Sequence, residues 1–145
     1  MRRSKLLAVV ALALALALTN ASAALADPLS KREWRKEVRS ICSAGNAEVN
    51  SIASEMFGDL GEGEEPTSEE FADFADEVVP IIEDMVEQVN DLEEPKSYKP
   101  GVKKWLKSIE DVAQRIEDDP TVVNQVDPFK KPNRLAKKLG LRGCV

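Results

Sequence analysis

The sequence predicts an all-α protein, an antiparallel up-down-up-down four-helix bundle stapled by one disulfide. Three long stretches carry apolar residues at steps of three and four, the spacing that places them along one side of a helix. Helix-starting and helix-ending residues bound these stretches, and a shorter fourth stretch follows. In such a bundle the end of helix four lies beside the start of helix one, which suits a bridge between Cys42 and Cys144.

The first 26 residues have the features of a secretory signal peptide. A basic start precedes an unbroken apolar run over residues 6–18, and small residues stand at Ala24 and Ala26. We therefore expect cleavage after Ala26, secretion of the protein, and a single helical-bundle domain over residues 27–145. The alternative is that the apolar segment stays uncleaved as an N-terminal anchor.

The cysteine count favours a disulfide. Cys42 and Cys144 are the two cysteines of the sequence, and an even number in an exported protein is typical of a disulfide. Closing a loop of roughly 100 residues contributes about 4 to 5 kcal/mol on the chain-entropy description. The alternative is two buried free thiols.

The first helix is predicted to begin at a capping box formed by Ser30 and Glu33. Gly45 lies on its apolar stripe, where the missing side chain either permits close approach of another helix or is merely tolerated. The stripe consists of Trp34, Val38, Ile41, Gly45, Val49, Ile52 and Met56.

A second capping box, Thr67 with Glu70, predicts the start of the central helix. Pro80 lies well inside this helix and removes a backbone donor, so we expect a kink or a split there. Such a kink can open a ligand pocket or let the helix wrap around its core. The apolar stripe consists of Phe71, Phe74, Val78, Ile81, Met85, Val89 and Leu92.

The third helix is predicted to follow a proline-containing turn and to end at Asp119, before Pro120. Its stripe consists of Tyr98, Val102, Trp105, Ile109, Val112 and Ile116. A fourth, shorter helix is predicted near Leu135 to Leu139, because basic residues in a last turn followed by Gly140 are typical of a helix C-terminus.

Charge is divided unevenly along the chain, whose net charge is −6. Residues 40–95 contain 17 acidic residues and no basic ones, whereas residues 96–145 contain 12 basic and six acidic residues. One interpretation is that the two regions neutralise each other across their interface. The other is that an acidic outer face binds a divalent cation, a polyamine or a basic partner protein. This acidic face consists of Glu69, Asp73, Asp76, Glu83, Asp84 and Glu87.

The residue types present argue against an enzyme. The sequence has no histidine, the commonest general base and transition-metal ligand, so we expect no catalytic residues, no metal site and no cofactor. Net acidity argues against nucleic acid as a partner. We also expect a monomer and no membrane insertion after signal cleavage.

The sequence resembles small exported helical proteins of actinobacteria. The resemblance rests on Trp34 followed by Cys42, the mid-helix Pro80, the proline-containing turn before Trp105, and the A-x-x-L-G-L-x-x-C ending over residues 136–144. It implies an extracytoplasmic compartment and a disulfide-stapled bundle but no activity. Many proteins of this group carry a lipid-attachment cysteine, which this chain lacks after its apolar run, so free secretion is expected.

Two functional hypotheses follow. The first is a non-catalytic interaction module of the cell envelope or medium, which engages an unknown protein or cationic partner through the acidic face. The second is a carrier that holds a small apolar ligand in the bundle core. Its candidate lining is Trp34, Phe71, Phe74, Met85 and Trp105.

Overall fold

The computed structural model describes residues 29–61, 64–125 and 127–144, and its regular structure over these residues is entirely helical. The predicted signal peptide, residues 1–26, lies outside the described residues. Four of the helices match predicted ones, and a single-turn helix was not predicted. The helices are α1 (Lys31–Phe57), α2 (Ser68–Asn90), α3 (Lys99–Asp118), α4 (Val122–Gln125) and α5 (Lys130–Leu139).

The four main helices pack consecutively. Helix α1 contacts α2, α2 contacts α3, and α3 contacts both α5 and the short α4. Two tryptophans anchor the shared apolar core: Trp34 of α1 is 0 % exposed and Trp105 of α3 is 1 % exposed. The predicted all-helical class and the predicted disulfide between Cys42 and Cys144 are confirmed.

Both predicted capping boxes are present. The Glu33 N–H donates to Ser30 Oγ at 3.3 Å, and the Ser30 N–H donates to Glu33 Oε2 at 3.1 Å. At α2 the Glu70 N–H donates to Thr67 Oγ1 at 3.2 Å, and the Thr67 N–H donates to Glu70 Oε2 at 2.7 Å. Each box supplies partners for backbone donors that a helix start leaves unpaired, which explains where α1 and α2 begin.

The buried face of α2 is wider than the predicted stripe. The stripe residues Phe74, Ile81, Met85 and Leu92 are only half-buried. The buried residues of α2 are Phe71, Ala75, Val78, Val79, Ile82, Val86 and Val89. The physical reason is that α2 packs between α1 and α3, and a helix with two neighbours must bury more than one line of side chains.

Helix α2 continues through Pro80 without a split. The proline has no N–H for the carbonyl of Asp76, and both residues are exposed. Solvent can therefore satisfy that carbonyl, because the missing hydrogen bond lies on the outer side of the helix and not in the core.

Gly45 marks a close approach of α1 and α2. It is buried, and a Cβ atom built on it would overlap Sδ of Met85. The absence of a side chain therefore has a packing role here. The atom that it accommodates belongs to a flexible methionine side chain.

A Schellman motif ends α5. Gly140 has φ 75°, the Leu141 N–H donates to the carbonyl of Ala136 at 3.0 Å, and the Gly140 N–H donates to the carbonyl of Lys137 at 3.1 Å. Leu141 is 0 % exposed, so the apolar residue that follows the glycine enters the core. The predicted C-terminal signature is confirmed.

Residues 140–144, which we call the C-terminal segment, lie against α1. Arg39 donates from Nη2 to the carbonyl of Gly140 at 2.7 Å, and Asn46 donates from Nδ2 to the carbonyl of Gly143 at 3.2 Å. The disulfide joins Cys42 to Cys144 with their Cα atoms 4.9 Å apart. The C-terminal segment is thus attached to α1 by one covalent bond and two hydrogen bonds.

Candidate ligand-binding cavity

A cavity of about 350 Å³ lies between the helices. All five helices and the C-terminal segment contribute to its wall. The lining residues are Asn46, Val49, Phe74, Val78, Ile82, Met85, Ile109, Ile116, Val123, Asp127, Phe129, Pro132, Asn133 and Cys144.

The wall of this cavity is mainly apolar. Ten of the fourteen lining residues are aliphatic or aromatic residues, methionine or proline, and half of the disulfide, Cys144, also faces the space. Well-packed protein interiors contain few voids larger than a water molecule, whereas binding sites for small molecules begin at about 300 Å³ and are mostly apolar. The size and lining of the cavity are therefore those of a small-molecule site.

Three polar residues lie among the lining residues, and two of them have partners. Asn46 donates to the carbonyl of Gly143, and Asp127 accepts the N–H of Phe129 at 3.0 Å on Oδ1. Asn133 differs, because its Oδ1 is buried and has no hydrogen-bond partner within the described residues. An amide can turn to present either its oxygen or its NH₂ group. Asn133 is thus the polar group that a ligand can engage.

Of the five residues proposed as core lining, two line the cavity and three do not. Phe74 and Met85 line the cavity. Trp34 packs edge-on against Tyr98, with ring centroids 5.6 Å apart, and Phe71 packs against Phe57.

Trp105 borders a separate space of about 20 Å³ beside the disulfide. The Nε1 atoms of Trp34 and Trp105 are buried and have no hydrogen-bond partner among the described residues. Both tryptophans therefore act as packing anchors of the core, away from the cavity wall.

Sequence reasoning missed the part of the wall that comes from the short elements. Val123 of α4, Phe129 and Pro132 close the side of the cavity that the three long helices leave open. Val122, Val123 and Phe129 are apolar in a region with no helical period, and that pattern is the signal that they face an interior.

The acidic face is exposed at all six of its positions. Within the described residues none of the six carboxylates forms an ion pair, and Asp84 accepts a hydrogen bond from Gln88 at 2.6 Å. The ion pairs lie elsewhere, as at Asp111, which pairs with Lys107 at 3.3 Å and with Lys131 at 3.6 Å. Over the described part of the chain, no three His, Cys, Asp or Glu side chains come together as a metal site.

Two carboxylates of the helix caps have pKa values lowered by hydrogen bonds. Hydrogen bonds from the side chain and backbone of Ser30 lower the pKa of Glu33 below its ordinary value of 4.5. Those from the backbone and side chain of Thr67 do the same for Glu70. These shifts are consequences of helix capping.

Known proteins give no guide to the function. No family model matches this chain. Searches among curated proteins and among solved structures found no match either.

Two features of the structure bear on the compartment. An intramolecular disulfide is typical of an oxidising, extracellular environment. None of the helices in the described part of the chain combines the length and the apolar character needed to cross a bilayer.

Proposed function

We propose that this protein is a non-catalytic carrier that binds a small apolar ligand in the cavity between its helices. The observation that supports this proposal is a space of about 350 Å³ with a mainly apolar wall between the helices. An apolar molecule in that space gains about 0.8 kcal/mol for each methylene removed from water. The wall offers no comparable gain to a strongly polar ligand.

The proposal includes an antiparallel up-down-up-down arrangement of the main helices. At the α1–α2 junction, Phe57 from the end of α1 contacts Phe71 and Phe74 from the start of α2, which supports a reversal of direction there. A Cβ atom on Gly101, near the start of α3, would lie 3.0 Å from Leu139 at the end of α5, which supports a second reversal.

The proposed place of action is outside the cytoplasmic membrane, after cleavage following Ala26. The disulfide supports an oxidising compartment. In the alternative, an uncleaved N-terminal anchor would hold the same domain at the outer face of the cytoplasmic membrane. Mass spectrometry of the protein from its own host distinguishes the two by the presence or absence of residues 1–26.

Uncharged alcohols test the carrier proposal because their chain length can be varied. Titration calorimetry with octanol, decanol and dodecanol should show an affinity that rises about fourfold per methylene until the cavity is filled. Absence of binding by all three alcohols would refute the carrier function.

A matched pair of substitutions locates the binding. Val49 and Ile52 are both half-buried aliphatic residues of α1, but only Val49 lines the cavity. Val49→Phe should lower the affinity for decanol at least tenfold because the ring occupies the cavity, whereas Ile52→Phe should leave it within about twofold. Equal effects of the two substitutions would place the alcohol elsewhere.

A second candidate function uses the acidic face. Its support is that the six exposed carboxylates have no cationic partner within the described residues. We propose a basic protein segment as the partner. Replacing Glu83, Asp84 and Glu87 by lysine should strongly weaken the binding of an oligolysine peptide. The control replaces residues 117–119, three acidic residues near the end of α3, by lysine and should weaken it far less. Equal losses of affinity in the two variants would indicate that the peptide responds to the net charge of the protein and not to the acidic face.

A further inference from the structure

A broad basic groove lies along α5. Its volume is about 840 Å³, and six cationic residues line it: Arg115, Lys130, Lys131, Arg134, Lys137 and Lys138. All six are exposed. Asp127 is the acidic residue of this lining. The groove is thus strongly cationic although the chain as a whole carries a net charge of −6.

Most of this positive charge is not neutralised by neighbouring carboxylates. Lys131 pairs with Asp111 at 3.6 Å. Within the part of the chain that the structure describes, the other five cations have no acidic partner. Asp127, for its part, accepts the N–H of Phe129 on Oδ1. Asp127 still carries a negative charge, but six cations outnumber it in the lining, so an anion in this groove meets an excess of positive charge.

The basic groove adjoins the apolar cavity. Asp127 and Asn133 line both spaces, and α5 contributes residues to each. Pro132 faces the cavity, whereas its neighbours Lys131 and Arg134 line the groove. The amide of Asn133, whose Oδ1 has no partner within the described residues, thus belongs to the boundary between an apolar and a cationic environment.

We infer that the ligand is an anionic amphiphile, whose apolar chain occupies the cavity and whose carboxylate or phosphate head lies among the cations of the groove. This inference rests on the proposed carrier function and adds the chemical class of the ligand. Arginine and lysine are suited to such heads, because guanidinium and ammonium groups form charge-assisted hydrogen bonds to carboxylate and phosphate oxygens. The Asn133 amide can turn its NH₂ group toward the same oxygens.

The test compares ligands that share one chain and differ in the head. Dodecanoate, dodecyl phosphate, dodecanol and dodecylamine are titrated into the full mature protein at neutral pH, below their micelle concentrations. At low salt, dodecanoate or dodecyl phosphate should bind at least tenfold more tightly than dodecanol, and dodecylamine should bind most weakly. The anionic advantage should shrink as sodium chloride is added, because the groove is exposed and its charges are screened. Whichever anion binds more tightly identifies the preferred head.

A charge-matched pair of variants locates the head. Lys130→Glu/Arg134→Glu should reduce the affinity for dodecanoate at least tenfold and leave that for dodecanol unchanged. Lys103→Glu/Lys104→Glu makes the same change in net charge at exposed positions of α3 outside the groove, and it should retain most of the affinity for dodecanoate. Circular dichroism melts of both variants show whether each is folded.

The outcomes separate the two proposals. If dodecanol binds as tightly as both dodecanoate and dodecyl phosphate, the anionic class is wrong and the carrier function stands. Equal losses in the two double variants would also overturn the groove as the head site. If none of the four ligands binds, the carrier function fails and the inference fails with it.

Discussion

Removing the disulfide should be among the most destabilising small changes that this chain can undergo. The bond joins residues 102 positions apart and holds the C-terminal segment against α1. We choose Cys42→Ala/Cys144→Ala, because Cys42 is 1 % exposed and a serine there would bury a hydroxyl group.

The expected loss follows from loop closure. For a loop of about 100 residues the chain-entropy description gives about 4.7 kcal/mol at room temperature. Single domains have unfolding free energies of about 5–15 kcal/mol, so the loss is a large fraction of the total. The shape of the cavity should also change, because Cys144 is part of its wall.

Urea unfolding followed by circular dichroism measures this effect. The double variant should unfold at much lower urea than the oxidised protein, and the reduced wild-type protein should behave like the variant. Ser40→Ala, at an exposed position two residues before Cys42, controls for helix propensity. If the reduced and oxidised proteins unfold at the same urea concentration, the disulfide does not form in solution or does not stabilise the fold.

Three further predictions concern glycines and a helix cap. Gly45→Ala should push Met85 toward the cavity, so decanol should bind more weakly in calorimetry. The free energy of unfolding should fall by no more than about 2 kcal/mol. An unchanged affinity for decanol would contradict this prediction. Gly140→Ala should cost about 1 to 2 kcal/mol in urea unfolding because φ is 75°, and Gly140→Asn should cost less. Because Thr67 lowers the pKa of Glu70 below 4.5, this carboxylate stabilises the fold above pH 4.5, and the effect is lost as the pH falls through the folded-state pKa. Glu70→Gln should therefore show a smaller loss of stability between pH 7 and pH 3, and an equal loss would refute the role of the cap.

The helices were predictable because their signals are local. A capping box uses residues three apart, so Ser30 with Glu33 and Thr67 with Glu70 indicate helix starts without any knowledge of tertiary structure. Gly140 indicates a helix end for the same reason.

The side of α2 that would be buried was less predictable. Val78 and Val79 are both apolar, as are Ile81 and Ile82. Periodicity alone therefore does not determine which of these residues lie at the centre of the buried face. The positions of α1 and α3 decide it, and those positions depend on side chains far away in the sequence.

The candidate site was less accessible to sequence reasoning than the fold. The largest aromatic residues, Trp34 and Trp105, were natural choices for a ligand wall, yet both fill the core instead. Five of the six cations of the basic groove lie within α5 and are visible in its sequence, whereas Arg115 comes from α3 and joins them only in the folded chain. Its relation to the cavity depends on Asn133, a residue with no distinctive pattern around it.

The C-terminal segment has a consequence for how the protein is made. The main helices pack on their neighbours in sequence, and such local pairings form early and quickly as a chain emerges. Asn46 and Cys42, by contrast, meet Gly143 and Cys144 across separations of 97 and 102 residues. A nascent chain can therefore pair its long helices before the C-terminal segment docks on α1. In the proposed carrier, the cavity wall would be completed only after residues 140–144 have docked and the two thiols have been oxidised.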